Sequence, residues 1–172
     1  KNFELEPFRG YGPTPPKVFR MLRRGVRWDK AAEQAYPGGS FGNSSAMRVA
    51  PVGLFYYDDF DALCRFASAS SQITHSHELG REGAVLQALA VALAAGGDAE
   101  SRPDPKAYLS TLKRYVRASE YQEKLSAVED LLPYGSKKDV VLRLGNTVKA
   151  FESVPTAIYS FLAHLDSFRS CI

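Results

Sequence analysis

A glycine-rich loop with small hydroxyl and amide side chains is the part of this sequence best suited to bind an anion. The loop runs from Gly38 to Ser45 and reads Gly-Gly-Ser-Phe-Gly-Asn-Ser-Ser. Glycines allow positive φ and a close approach of the backbone to a ligand, and the helix that follows adds free N–H groups in its first turn. The composition therefore predicts a phosphate site, although an ordinary helix N-cap after a tight turn explains the same residues.

Histidines and paired carboxylates are the other residues that could do chemistry. His75 and His77 are two residues apart, which places them on different faces of a helix and argues against a shared metal ion. From the residues alone, His75 is interpreted as a helix cap or a hydrogen-bonded surface histidine, and His77 as a surface residue. The pair Asp58 and Asp59 precedes an apolar helical pattern, and we interpret it as an N-cap with an acidic first turn.

Segments with helical periodicity connect these residues. Apolar residues recur at spacings of three and four, and proline, glycine or capping residues mark the segment ends. The segment from Glu78 to Ala95 is apolar on nearly all sides, which predicts a fully buried helix. Further helices are predicted over residues 17–24, 58–68, 106–116, 120–132 and 136–144, and a last one after Pro155. Because no alternation typical of strands occurs, the sequence predicts an all-α protein.

Six blocks of the sequence follow one another in an informative order. They are Arg9–Gly12, Gly38–Phe55, Ser71–Glu78, Gly83–Val91, Leu144–Asn146 and Ala150–Leu162. This order resembles the ADP-ribosylglycohydrolase family, in particular its serine-ADP-ribose and poly(ADP-ribose) hydrolase branch. The resemblance implies a compact orthogonal helical bundle. We expect residues 1–172 to form the central part of one such domain, incomplete at both ends.

The resemblance implies that the glycine-rich loop wraps the pyrophosphate of ADP-ribose. The implied binding residues of the loop are Gly38, Gly39, Ser40, Phe41, Gly42, Asn43 and Ser44, with the Phe41 ring beside the adenosine and Tyr36 as a second stacking face. His75 joins this pocket, and Val148 lines its adenine side. From the residues alone, Phe41 is equally well explained as a core aromatic residue. Ser44 departs from the glycine usual in the family, which puts the backbone angle and the approach to phosphate in question.

The resemblance also implies an enzyme. Members of this branch hydrolyse the O-glycosidic bond of ADP-ribose on protein serine or in poly(ADP-ribose), and the family uses two magnesium ions (Mg2+), held by a Thr-Asp-Asp and a Gly-Gly-Asp-x-Asp-Thr segment. Neither segment occurs in these 172 residues. We therefore expect no catalytic residue and no metal ligand in this chain, and we expect the ligands to lie outside it. The alternative is a catalytically inactive ADP-ribose-binding or scaffold remnant.

Composition is ordinary for a globular domain. Hydrophobic residues make up 45% and charged residues 24% of the chain, and the formal net charge is +3. Cationic residues cluster near one predicted helix and form either a solvated face or a rim for a polyanion such as poly(ADP-ribose): Lys17, Arg20, Arg23, Arg24, Arg27 and Lys30. We expect no direct DNA binding. Since no apolar run is long enough to span a membrane and the two cysteines lack metal-site spacing, we expect a reduced, cytoplasmic protein without membrane contact.

Overall fold

The computed structural model describes residues 12, 14–97 and 101–172, and within these ranges the chain is built from α-helices. They are α1 (Thr14–Arg23), α2 (Trp28–Ala35), α3 (Ser44–Met47), α4 (Ala50–Phe55), α5 (Phe60–Gln72), α6 (Glu78–Ala95), α7 (Pro105–Tyr115), α8 (Ser119–Leu131), α9 (Lys137–Leu144), α10 (Ala150–Ala163) and α11 (Phe168–Cys171). The described ranges contain no β-strand, and one isolated antiparallel bridge pairs Gly42 with Lys149. The prediction of an all-α protein is confirmed.

Helix α6 is the centre of the fold. It packs against α3, α4, α5, α7 and α10, and Ala84, Leu86 and Leu89 have no exposed surface. Such burial on several sides is what an all-round apolar helix requires. The predicted bounds, Glu78–Ala95, are confirmed without a shift. Helix α8 packs against α7, α9 and α10 and completes the core.

The starts of two helices differ from the prediction by three residues or more, and the others differ by at most two. Helix α10 begins at Ala150, so Pro155 lies buried inside it and does not precede it. The N–H of Ala150 donates to the carbonyl of Phe41 at 2.9 Å, and this tertiary contact fixes the first turn upstream of the proline. Helix α1 begins at Thr14, three residues before the predicted start at Lys17. Pro15 and Pro16 lie in the first turn of α1, which accepts proline, whereas Pro155 lies inside α10, where proline removes a main-chain hydrogen bond.

Several smaller expectations can be compared with the structure. No helix in the described ranges is both long enough and apolar enough to cross a membrane. Cys64 and Cys171 are free and partly buried, and burial, with the nearby charge of Asp61, raises the pKa of Cys64 to about 11. In the cationic cluster, Arg27 forms an exposed ion pair with Asp29 at 3.0 Å. In the first sequence block, residues 9–11 lie outside the described residues.

Candidate functional site

Two consecutive glycines shape the predicted anion-binding loop, which connects α2 to α3. Gly38 and Gly39 have φ of +83° and +76°, a left-handed conformation that glycine adopts readily. The N–H of Gly39 donates to the carbonyl of Tyr36 at 2.9 Å, which closes a tight turn. A side chain at Gly39 would overlap the amide nitrogen of His77. The turn therefore lies directly against the segment between α5 and α6.

The carboxylate of Glu33 connects this turn to that segment. Its Oε1 accepts a hydrogen bond from the N–H of Gly38, and its Oε2 accepts one from the hydroxyl of Ser76, each at 2.8 Å. These two hydrogen bonds lower the pKa of Glu33, so the carboxylate is ionised at neutral pH. Sequence analysis did not identify Glu33. The available signal was an acidic side chain five residues before a Gly-Gly turn.

The other end of the loop pairs with the backbone that precedes α10. The N–H of Asn43 donates to the carbonyl of Val148 at 2.8 Å, and the N–H of Ala150 donates to the carbonyl of Phe41 at 2.9 Å. Together these bonds form the antiparallel bridge between Gly42 and Lys149. Main-chain hydrogen bonds therefore hold the segment around Val148 against the loop, although more than a hundred residues of sequence separate the two.

Protein acceptors already occupy several N–H groups of the loop. Besides Gly38, Gly39 and Asn43, the N–H of Gly42 donates to Oγ of Ser40 at 3.2 Å. Within the described residues, the N–H groups of Ser40, Phe41, Ser44 and Ser45 have no acceptor. The last two lie in the first turn of α3. These four N–H groups are the backbone donors that the loop leaves to a ligand.

Asn43 has a side chain available for a ligand. It is the N-cap residue of α3, but its side chain makes no capping hydrogen bond, and it has no other hydrogen-bond partner in the part of the chain that the structure describes. It lines a cavity of about 320 Å3 together with Met47, Gln87 and Ser153. The interpretation of this loop as an ordinary side-chain N-cap is therefore not supported at Asn43.

His75 lies next to the loop with only 4% of its surface exposed. Its Nδ1 is 2.7 Å from Oγ1 of Thr74, and its Nε2 is 3.0 Å from Oγ of Ser44. Burial, with a smaller contribution from the charge of Arg48, lowers the pKa of His75 to about 4. The imidazole is therefore neutral at pH 7. It is neither a surface histidine nor a helix cap, the two interpretations that the residues alone suggested.

Arg48 also bonds to residues of this group. One guanidinium nitrogen donates to Oγ1 of Thr74 at 2.7 Å and to the carbonyl of Ser70 at 3.2 Å. The other donates to the carbonyl of Ser44 at 3.1 Å. The sequence block that carried the resemblance contains Arg48, but sequence analysis gave it no role. The structure makes it the link between the start of α3 and the end of α5.

Apolar side chains near the loop keep part of their surface exposed. Phe41 is 36%, Tyr36 is 49% and Val148 is 74% exposed. The Phe41 ring contacts the His77 ring edge-on, with centroids 5.3 Å apart, and the Phe151 ring at 6.0 Å. Phe41 is thus packed on one side and open on the other. His77 is the N-cap of α6 and accepts a hydrogen bond from the N–H of residue 79.

The backbone at Ser44 does not need glycine. No residue other than glycine has a positive φ in the described ranges, and Ser44 is the first residue of α3. The concern that serine disturbs the backbone angle here is therefore removed. What the serine changes is the surroundings of His75, since its hydroxyl contacts Nε2.

Carboxylates do not gather into a metal site in the described ranges, which hold no group of three or more His, Cys, Asp or Glu side chains placed to bind one ion. Asp59 is the N-cap of α5, and its carboxylate accepts a hydrogen bond from the N–H of Ala62 at 2.9 Å. This confirms the interpretation of the Asp58–Asp59 pair as a helix start.

The described residues are helical, and a glycine-rich loop lies against a buried histidine. Comparison with known proteins shows the family to which the chain belongs. The sequence profile of the ADP-ribosylglycohydrolase family matches residues 2–172, and the chain belongs to that family. Its curated relatives include ADP-ribosylhydrolase ARH3 of Homo sapiens, Xenopus tropicalis and Gallus gallus, which are 37%, 37% and 34% identical to it. The matches cover 94%, 94% and 97% of this chain but 50%, 51% and 50% of those proteins. The chain therefore spans about half the length of the curated relatives it matches.

Proposed function

We propose that this chain recognises the pyrophosphate and adenosine of ADP-ribose as part of an ADP-ribosylglycohydrolase. The observation that carries the proposal is the contact between the loop and His75 in a chain of this family. Ser44 and His75 are 31 residues apart in sequence, and their side chains are 3.0 Å apart. The relatives named ADP-ribosylhydrolase support the same chemistry. The substrate is ADP-ribose attached to protein serine or within poly(ADP-ribose), and the place of action is the cytoplasm.

Each part of the loop has a role in this proposal. The glycines Gly38, Gly39 and Gly42 give the loop its shape, while Ser40, Asn43 and Ser44 donate hydrogen bonds to the pyrophosphate, backed by His75. Phe41 and Val148 offer exposed apolar surface to the adenosine, and Tyr36 is a second stacking face. Residues 1–172 belong to one domain in this proposal.

The chemical step belongs to other residues. The two magnesium ions implied by the resemblance need several carboxylates around each ion, and the described residues contain no such group. The residues present therefore do not fit a magnesium site, and we assign no step of bond cleavage to them. They hold the substrate in place. Such positioning accounts for a large part of the rate enhancement of an enzyme-catalysed reaction.

A second candidate function is that the chain binds ADP-ribose without cleaving it, as a reader or a scaffold. Binding is common to both candidates, so a binding experiment tests the site, and a turnover experiment separates binding from catalysis.

Replacing Asn43 by alanine should weaken ADP-ribose binding about tenfold or more, because a hydrogen bond to a charged phosphate contributes roughly 1.5–3 kcal/mol. Ser40→Ala should weaken it too, although its hydroxyl also holds the N–H of Gly42. Since the Asn43 side chain caps nothing, the free energy of unfolding should change by less than about 1 kcal/mol. Isothermal titration calorimetry with ADP-ribose gives the affinity, and urea denaturation gives the stability.

Ser126→Ala is the matched control, since Ser126 lies exposed on α8 and, among the described residues, its hydroxyl bonds to the carbonyl of Gln122 alone. It should bind ADP-ribose like the unsubstituted chain. Unchanged affinity in both Asn43→Ala and Ser40→Ala would show that the pocket lies elsewhere.

The chain by itself should release no ADP-ribose from a serine-modified peptide, with or without magnesium, because neither carboxylate segment of the family occurs in its sequence. Chromatography of the reaction against known amounts of added ADP-ribose sets the detection limit. Turnover that a chelator abolishes would contradict the assignment of this chain to recognition alone.

A further inference from the structure

The buried imidazole of His75 has no nitrogen left for a ligand. Its Nδ1 is bonded to Thr74 and its Nε2 to Ser44, and only 4% of the residue is exposed. Ser44, in contrast, is exposed, and its hydroxyl contacts Nε2. Any ligand in this loop therefore meets the Ser44 hydroxyl where it would otherwise meet the histidine.

The buried hydroxyl of Thr74 indicates the direction of the hydrogen bonds in this group. A guanidinium only donates, so Oγ1 of Thr74 accepts the 2.7 Å bond from Arg48. The one proton of the Thr74 hydroxyl then has Nδ1 of His75 as its acceptor among the described residues. A neutral imidazole that accepts at Nδ1 carries its proton on Nε2. Nε2 accordingly donates to Oγ of Ser44.

The proton of the Ser44 hydroxyl is then left without a protein acceptor in the described ranges. We propose that this hydroxyl is the donor that reaches the anionic oxygen of the ligand, and that His75 is a positioning residue that acts through it. The inference rests on the proposed function, because the ligand is the ADP-ribose pyrophosphate. The four side chains form one chain of donors, from the Arg48 cation through Thr74 and His75 to Ser44. Hydrogen bonds aligned in this way polarise one another and strengthen the last donor.

Three substitutions at Ser44 distinguish a hydroxyl that donates to the ligand from one that only stabilises the fold. Ser44→Ala removes the donor but leaves a methyl group over Nε2, so affinity for ADP-ribose should fall about tenfold. Ser44→Gly removes the donor and uncovers Nε2, whose proton can then reach the ligand, so affinity should stay within about threefold of the unsubstituted chain. Ser44→Thr keeps the hydroxyl and should also stay within about threefold. Ser126→Ala again serves as the control.

The proton on His75 can be observed without any ligand. Two-dimensional nitrogen–proton NMR of the histidine rings should show the tautomer protonated at Nε2 for His75 at pH 7. The chain has three histidines, so His77→Gln and His164→Gln variants assign the signals. A proton on Nδ1 would reverse the chain of donors and overturn the inference.

The two proposals can fail separately. If the unsubstituted chain does not bind ADP-ribose, the proposed function fails and this inference fails with it. If the chain binds but Ser44→Ala and Ser44→Gly have equal affinities, only the inference is overturned. Weak binding by Ser44→Ala together with recovery in Ser44→Gly and Ser44→Thr supports it.

Discussion

Gly39→Ala is expected to lower the free energy of unfolding by about 2–5 kcal/mol and to abolish measurable ADP-ribose binding. An L-residue in the left-handed region costs roughly 1–2 kcal/mol, and forcing a methyl group into a packed site costs roughly 1–3 kcal/mol more. The new Cβ would overlap the amide nitrogen of His77 and lie 2.7 Å from Oγ of Ser76 and 2.8 Å from Cα of His77. Backbone atoms cannot rotate away, so the loop must move. Urea denaturation and calorimetry with ADP-ribose measure the two effects.

Gly38→Ala is the matched control. Gly38 has nearly the same φ, +83° against +76°, but nothing lies within 4 Å of a Cβ built there. It should therefore lose only about 1–2 kcal/mol, the cost of the left-handed backbone. The difference between the two variants measures the contact between the loop and the segment before α6. Equal losses in the two variants would show that this contact is absent in solution.

Acidification should destabilise the protein through His75 by up to about 3 kcal/mol between pH 7 and pH 4, since each unit of pKa shift corresponds to about 1.4 kcal/mol. The folded-state pKa of His75 is lowered to about 4 from the ordinary 6.5. Between these values the unfolded chain binds the proton and the folded chain does not. Stability is therefore complete above pH 6.5 and is lost progressively as the pH falls towards 4.

His75→Gln, which does not titrate in this range, isolates the contribution. Urea denaturation of both proteins at pH 7, 5.5 and 4 should give a smaller loss for the variant, by roughly the 3 kcal/mol above. Carboxylates with lowered pKa, such as Glu33 and Asp139, destabilise both proteins alike at the acidic end and cancel in the comparison. Parallel pH profiles would mean that His75 is more accessible to water than its burial indicates.

Local sequence patterns were sufficient for the main helices and for the position of the loop. Helix α6 was predicted with its observed bounds because its all-round apolar composition admits only a buried helix. The Asp59 cap was predicted for a similar reason, since a cap depends on residues within four positions. The sequence predicted that the last helix begins after Pro155. Its observed start at Ala150 depends on the hydrogen bond from the Ala150 N–H to the Phe41 carbonyl, which joins segments distant in sequence.

The sequence by itself determined an all-helical chain, a glycine-rich loop with polar side chains, and the family to which both belong. Only the tertiary structure decided how the loop is held and what His75 can contact. Glu33 and Ser76 are 43 residues apart, and Ser44 and His75 are 31 residues apart. Periodicity and capping rules describe neighbours along the chain, whereas these contacts depend on how α2, α3, α5 and α6 pack. The physical reason is that the burial that keeps His75 uncharged and the contacts that orient its hydrogen bonds exist only once the helices have come together.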